Sequence, residues 1–300
     1  MKNKTLLVIG GTGFLGFHLC NFFKKKGWKI YSLSKKKPVR HRKVKSIKYL
    51  FGDISKLKEI KFLKKLNIKY LINCGGYVDH FNKMKTYNTH VNGCKNLYNI
   101  FSKKDIKVFV QLGSASEYGS ISSPQKEEYI CKPKDSYGNC KIRATKFLKS
   151  TKSSFPYVIV RPYQVYGPKQ DNNRIIPFII NACLNNLKFP CSAGKQLRDF
   201  LFIDDFVSAV FKIVDNKKCL RQIFNIGYGK PIKVKDVIKK INIKIKSGKP
   251  EFGKILMRKY EQKKLFPSIK KASRYFNWSP KISFEKGLNK TIKYYKDLKR

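Results

Sequence analysis

Thr5-Leu6-Leu7-Val8-Ile9-Gly10-Gly11-Thr12-Gly13-Phe14-Leu15-Gly16 is an apolar run that breaks straight into a glycine cluster. Beyond it, Phe17, Leu19, Cys20, Phe22 and Phe23 recur at helical spacing. Strand, glycine turn and helix in that order suit a pyrophosphate, because the glycines permit a tight turn and turn backbone N–H groups and a helix N-terminus toward negative charge. The stretch reads as a dinucleotide-binding turn, with Gly10, Thr12, Gly13, Phe14, Leu15 and Gly16 at the cofactor; a merely structural turn is the competing reading.

Outward from this turn, short apolar runs alternate with longer amphipathic stretches: Ile30 to Leu33, Ile47 to Phe51, Tyr70 to Asn73, Val108 to Leu112 and Tyr157 to Val160. Strands separated by helical patterns imply βαβ units and a parallel sheet. The predicted fold class is α/β, a Rossmann-type doubly wound parallel sheet with a smaller C-terminal substrate-binding region. Residues 1–165 form the predicted dinucleotide-binding domain and 166–300 mainly the substrate-binding region, since Pro168, Pro177 and Pro190 interrupt the rhythm. Phe200 to Ile203 and Phe224 to Ile226 are apolar enough to return to the sheet.

A hydrophobic content of 42% with 14% aromatics supplies a sizeable core. Lys+Arg 67 against Asp+Glu 18 gives a net charge of +49, which raises nucleic acid or an anionic membrane as partner. The lysines, however, are spread along the chain, as in Lys24-Lys25-Lys26, Lys103-Lys104 and Lys239-Lys240. A solvated cationic surface that attracts anionic substrates is favoured over a dedicated nucleic-acid site. The eight cysteines form no C-x-x-C pair and the four histidines no metal-ligand spacing with them, so free thiols and no metal are expected. No run approaches the roughly twenty apolar residues that span a bilayer; a cytoplasmic protein without membrane partners is the expectation.

Enzymes that take NAD place an acidic residue at the end of the second strand to hold the ribose 2′-hydroxyl. Here that strand ends at Ser34-Lys35-Lys36-Lys37, and the first acidic residue is Asp53. Ser34 and Lys35 suit a 2′-phosphate, which favours NADP(H) with NAD(H) left open. Asp53-Ile54 follows the third strand, where the carboxylate meets an adenine amino group or serves as a plain turn residue.

Tyr137 and Lys141 stand four residues apart in a helical pattern continued by Ala144, Phe147 and Leu148, hence on one helix face. An ammonium beside a phenol favours its charged form, and such a tyrosine passes a proton to or from a substrate oxygen while hydride moves at a nicotinamide. Ser114, in Gly113-Ser114-Ala115-Ser116-Glu117-Tyr118-Gly119 directly after the fifth strand, sits where an open α/β sheet has its ligand crevice. Its hydroxyl is placed to orient the same oxygen.

With these motifs in order, the chain resembles the extended short-chain dehydrogenase/reductases, in the NAD-dependent epimerase/dehydratase family of nucleotide-sugar enzymes. Further matches are Asn92, Arg161-Pro162 with Val165-Tyr166-Gly167-Pro168, Arg198-Asp199-Phe200, Asn225-Ile226-Gly227 and Trp278-Ser279-Pro280. The resemblance implies catalytic Ser114, Tyr137 and Lys141, a nucleotide-diphosphate sugar as substrate, and a homodimer as an open option. It assigns Arg198 to the diphosphate, the alternative being a structural ion pair with Asp204 or Asp205, with Arg174 as a second phosphate candidate. Ser116 and Gln164 are further substrate candidates, although Gln164 replaces a common asparagine, and Trp278 and Phe284 read as packing residues.

Dehydratases of the resembled family carry acidic residues after the catalytic hydroxyl, where this chain has Ala115 and Ser116, with Glu117 one position late and read as pointing elsewhere. Dehydration is therefore disfavoured. The expected activity is a 4-ketoreductase acting on a 4-keto-6-deoxy sugar, since the motifs resemble those of CDP-abequose synthase-like proteins. The alternatives are a 4-epimerase with trapped NAD and, less favoured, a non-catalytic nucleotide- or nucleic-acid-binding protein.

Overall fold

The computed structural model describes residues 4–77, 82–257 and 261–299. Its strands are β1 (Thr5–Ile9), β2 (Lys29–Ser34), β3 (Lys48–Phe51), β4 (Tyr70–Asn73), β5 (Val108–Leu112), β6 (Tyr157–Pro162), β7 (Gln164–Tyr166), β8 (Lys188–Cys191), β9 (Leu197–Arg198), β10 (Phe200–Phe202), β11 (Ile223–Ile226), β12 (Ile232–Lys233), β13 (Lys249–Phe252) and β14 (Lys264–Leu265). The helices are α1 (Phe14–Lys25), α2 (Leu57–Ile60), α3 (Lys83–Tyr87), α4 (Gly93–Phe101), α5 (Ser136–Lys149), α6 (Ile175–Leu184), α7 (Ile203–Val214), α8 (Val234–Ile245), α9 (Lys270–Phe276) and α10 (Phe284–Asp297).

Seven strands form one parallel sheet in the order β11-β6-β5-β4-β1-β2-β3. Strand β1 shows why the sheet is covered on both faces. Leu6 and Val8 join one core with Phe17, Phe23, Phe206 and Val210, while Leu7 and Ile9 join another with Leu97, Phe101, Ala144 and Leu148. Successive side chains of a strand point to opposite faces, so an unbroken apolar run needs a helical layer on each. Helices α1 and α7 supply the first, α4 and α5 the second.

The order of strands reverses between β1 and β4, and the carboxyl ends of those two strands open the crevice where ligands bind in sheets of this kind. Only one of the two later apolar stretches returns to this sheet. Strand β11 pairs with β6 at its edge. Phe200–Phe202 instead pairs with β7 in a separate two-stranded sheet, and Ile203 opens α7. With the edge beside β6 taken by β11, Phe200 and Phe202 bury their rings around Tyr166. The remaining strands form small sheets, β12-β9-β14 and β13-β8, and Trp278 and Phe284 are both buried. No helix among the described residues is long and apolar enough to cross a membrane.

Candidate active site

Gly10 holds φ at +73°, and a Cβ there would lie 3.0 Å from the Cys74 backbone at the end of β4. A side chain would therefore be strained twice over, by the dihedral and by the neighbouring strand. Gly16 packs against the Gly10 carbonyl so closely that a Cβ would collide with it. Gly13 precedes α1 without any side-chain cap, and the first turn of α1 carries no acidic residue. Free N–H groups and an uncompensated positive helix end remain beside the turn, a cradle that fits a dinucleotide pyrophosphate. Phe14 is buried and Leu15 half-buried at the same helix start.

At the far end of this crevice the Thr12 N–H donates to Ser34 Oγ at 3.3 Å. Lys35 forms a 2.5 Å ion pair with Asp53, whose other oxygen accepts from the Ser55 N–H and hydroxyl. Burial works against the Asp53 charge, but the Lys35 and Ser55 hydrogen bonds outweigh it and hold the carboxyl below its ordinary value. A cleft of about 480 Å³ lies here, lined by Lys35, Phe51, Gly52, Asp53, Lys56 and Glu59. Ile54 turns its side chain inward against Gly75 and Gly93, and its carbonyl accepts from Asn96.

Helix α5 carries Tyr137 and Lys141. Asp135 caps it, accepting the Gly138 N–H. Lys141 is buried and donates to the Leu112 carbonyl at 2.8 Å, with its ammonium 5.6 Å from the centre of the Tyr137 ring. Leu112 ends β5, two residues before Ser114, so one hydrogen bond joins the helix to the strand that delivers the serine. Ser114 Oγ accepts the Ser116 N–H at 3.1 Å. Glu117 is fully buried, its carboxylate taking the Ser114 N–H, the Thr145 hydroxyl and the Arg161 guanidinium. It faces the core and not the crevice.

His90 packs edge-on against the Tyr137 ring, with centroids 5.3 Å apart. It belongs to a π-helical turn, Asn88–Asn92, between α3 and α4. Its Nε2 donates to the Tyr77 carbonyl at 3.1 Å, and Nδ1 is buried with no hydrogen-bond partner among the described residues. Burial, reinforced by the Lys141 charge, pushes the imidazole down to about 2, so this side of Tyr137 faces a neutral ring.

A larger cleft of about 550 Å³ runs from Ser116 and Gly119 past Lys134 and Asp135 to Glu261 and Lys263. Ser116 lines it. Arg198 reaches it through Glu261, to which it is bound at 2.7 Å. The sequence offered Asp204 or Asp205 as ion-pair partners for Arg198; both are engaged elsewhere. Asp205 accepts the Lys281 and Ile282 N–H groups and Asp204 lies 3.6 Å from Lys290, both from the first turn of α7. Burial pulls the Arg198 guanidinium below its ordinary value, with Glu261 opposing. Gln164 and Arg174 are exposed, and neither lines this cleft.

His90, Thr145 and Glu261 were not read from the sequence; Glu117 was read only as pointing elsewhere, which its burial against Arg161 and Thr145 matches, and its partners were not foreseen. The spacing Ser114-x-x-Glu117 is that of a capping box, and it was a usable signal, since the pair caps the turn Ala115–Tyr118 in that way. His90 and Glu261 had none, because each meets its partner only across the tertiary fold.

Residues 6–227 match the model of the NAD dependent epimerase/dehydratase family. A dTDP-D-glucose 4,6-dehydratase of Dictyostelium discoideum is 32% identical over 272 residues, 81% of this chain and 62% of that protein. The chain thus spans less than two thirds of that relative. CDP-abequose synthase of Salmonella muenchen is 25% identical over 308 residues, 97% of each chain. Among solved structures, the UDP-glucose 4-epimerase of Thermotoga maritima with UDP-glucose superposes with a TM-score of 0.93 at 21% identity, covering 99% of this chain and 100% of the other.

Proposed function

Because the chain belongs to the NAD dependent epimerase/dehydratase family, we propose that it reduces C4 of a nucleotide-linked 4-keto-6-deoxy sugar. The observation that carries this reading is the turn after β5. Elimination of water needs an additional acid and base beside the sugar, and Ala115 and Ser116 supply neither. The carboxylate next in sequence, Glu117, is committed to Arg161 and Thr145 inside the protein.

A nicotinamide dinucleotide held at the glycine turn of residues 10–16 and the start of α1 would supply the hydride. Tyr137 donates a proton to the C4 oxygen, so that the ketone gains one hydride and one proton and becomes an alcohol. Ser114 orients the same oxygen; its own oxygen accepts from Ser116 N–H, which leaves its hydroxyl proton to donate. Lys141, fixed by the Leu112 carbonyl, stabilises the negative charge left on the phenol oxygen. Arg198 takes the diphosphate as Glu261 gives way, and Arg174, Ser116 and Gln164 are assigned to the rest of the nucleotide sugar. NADP(H) is proposed over NAD(H), because β2 ends at Ser34 without a carboxylate for the ribose.

The pairing of Lys35 with Asp53 favours a second reading. An ammonium already neutralised attracts a 2′-phosphate weakly, which suits a 4-epimerase that keeps NAD bound. The deciding experiment identifies the nucleotide that co-purifies, then mixes the protein with NADPH and a nucleotide-linked 4-keto-6-deoxy sugar. The expected outcome is one NADPH oxidised per sugar reduced. Tightly held NAD with interconversion of sugars and no net oxidation would replace the reductase by the epimerase; release of water from a nucleotide hexose would overturn both.

A further inference from the structure

Tyr137, Lys141 and Thr145 stand at successive four-residue steps along α5 and so share one face of the helix. Two of them tie that face to the end of β5. Lys141 holds the Leu112 carbonyl at 2.8 Å, and Thr145 Oγ1 donates to Glu117 Oε2 at 2.9 Å. The other Glu117 oxygen accepts the Ser114 N–H at 2.9 Å. Gly113 completes the packing: a Cβ there would collide with Glu117 Oε1.

We propose that Thr145 and Glu117 are positioning residues that set the Ser114 turn against the helix carrying Tyr137, through a single carboxylate bonded to both. The inference rests on the role given above to Ser114 and Tyr137. Arg161 keeps this arrangement in place, since its guanidinium meets Glu117 Oε2 through Nη2 at 2.8 Å and Nε at 3.0 Å. All three side chains are buried, and although Arg161 Nη1 has no partner among the described residues, both Glu117 oxygens, the Thr145 hydroxyl and the Arg161 Nε and Nη2 groups are bonded, so breaking the arrangement leaves further buried polar groups unpaired. The serine and the tyrosine come from segments more than twenty residues apart in sequence. Without such a tie, their separation would depend on the Lys141–Leu112 hydrogen bond, which stops two residues short of the serine, and on side-chain packing of α5 on the sheet.

Thr145→Val tests this with little risk to folding: it removes one donor while Arg161 and the Ser114 N–H still satisfy Glu117. Thr145→Ser restores the donor. Two measurements are made on the full chain: amide hydrogen exchange over residues 113–119, and steady-state reduction with NADPH. The valine variant is expected to exchange this segment several-fold faster and to lose about tenfold or more in kcat, with the KM for NADPH close to the parent value. Serine is expected to recover both. Parent-level exchange and kcat in the valine variant overturn the proposal, as does a loss that serine leaves unrepaired, which would mark a packing effect. If the parent reduces no 4-keto sugar, the proposed function fails on its own and the exchange measurement still decides the tie.

Discussion

Replacing His90 by Gln removes a titrating group that the fold keeps neutral, and the size of the effect follows from its surroundings. The imidazole is 2% exposed, and burial with the nearby Lys141 charge holds its value at about 2 against 6.5 for a free histidine. Between those values the unfolded chain binds a proton that the native one refuses, so stability rises with pH and is lost as pH falls below 6.5. The slope is about 1.4 kcal/mol per pH unit, which makes the loss at pH 5 about 2 kcal/mol relative to pH 8. Gln keeps an N–H for the Tyr77 carbonyl and cannot titrate. Urea unfolding of both proteins across this range should therefore show the parent losing about 2 kcal/mol more than the variant on acidification. Whatever the offset between the two proteins, parallel curves below pH 6.5 would refute a neutral buried His90.

Asp199 has the opposite sign. Burial, opposed by the Tyr228 and Gly229 N–H groups, pushes its carboxyl up to about 7, so its contribution is present below the ordinary aspartate value and is lost as pH rises toward 7. The stability advantage of the parent over Asp199→Asn should shrink between pH 4 and 7 by up to about 1.4 kcal/mol per unit; a constant difference on urea titration would show that the acid is not perturbed. Tyr137→Phe should lower kcat by about 10² or more while NADPH still binds, by fluorescence titration, and full turnover would remove the phenol from the reaction. Gly16→Ala drives a Cβ into the Gly10 carbonyl; it should cost about 1–3 kcal/mol of stability and weaken dinucleotide binding, and parent-level values of both would contradict the close approach of helix and turn.

Amino-acid pattern alone located β1 to β6: all but the half-exposed edge strand β3 are apolar runs largely buried in the sheet, and such runs are conspicuous between amphipathic helices. The glycine turn was equally legible: φ of +73° at Gly10 and the contact at Gly16 are demands that only one residue type meets. Local order also placed Ser114 after β5 and Tyr137 four residues before Lys141 on a helix. Pattern failed where the partner decides the outcome. Phe200–Phe202 and Ile223–Ile226 are similar apolar runs, yet only the second found an open edge on the sheet. The carboxylate of Glu117, the edge of His90 against Tyr137 and the ion pair of Arg198 with Glu261 join residues 28 to 63 apart in sequence or across separate elements. Periodicity reports which face a residue occupies along its own element, and hydrogen bonds between elements depend on how those faces meet, which only the folded chain determines.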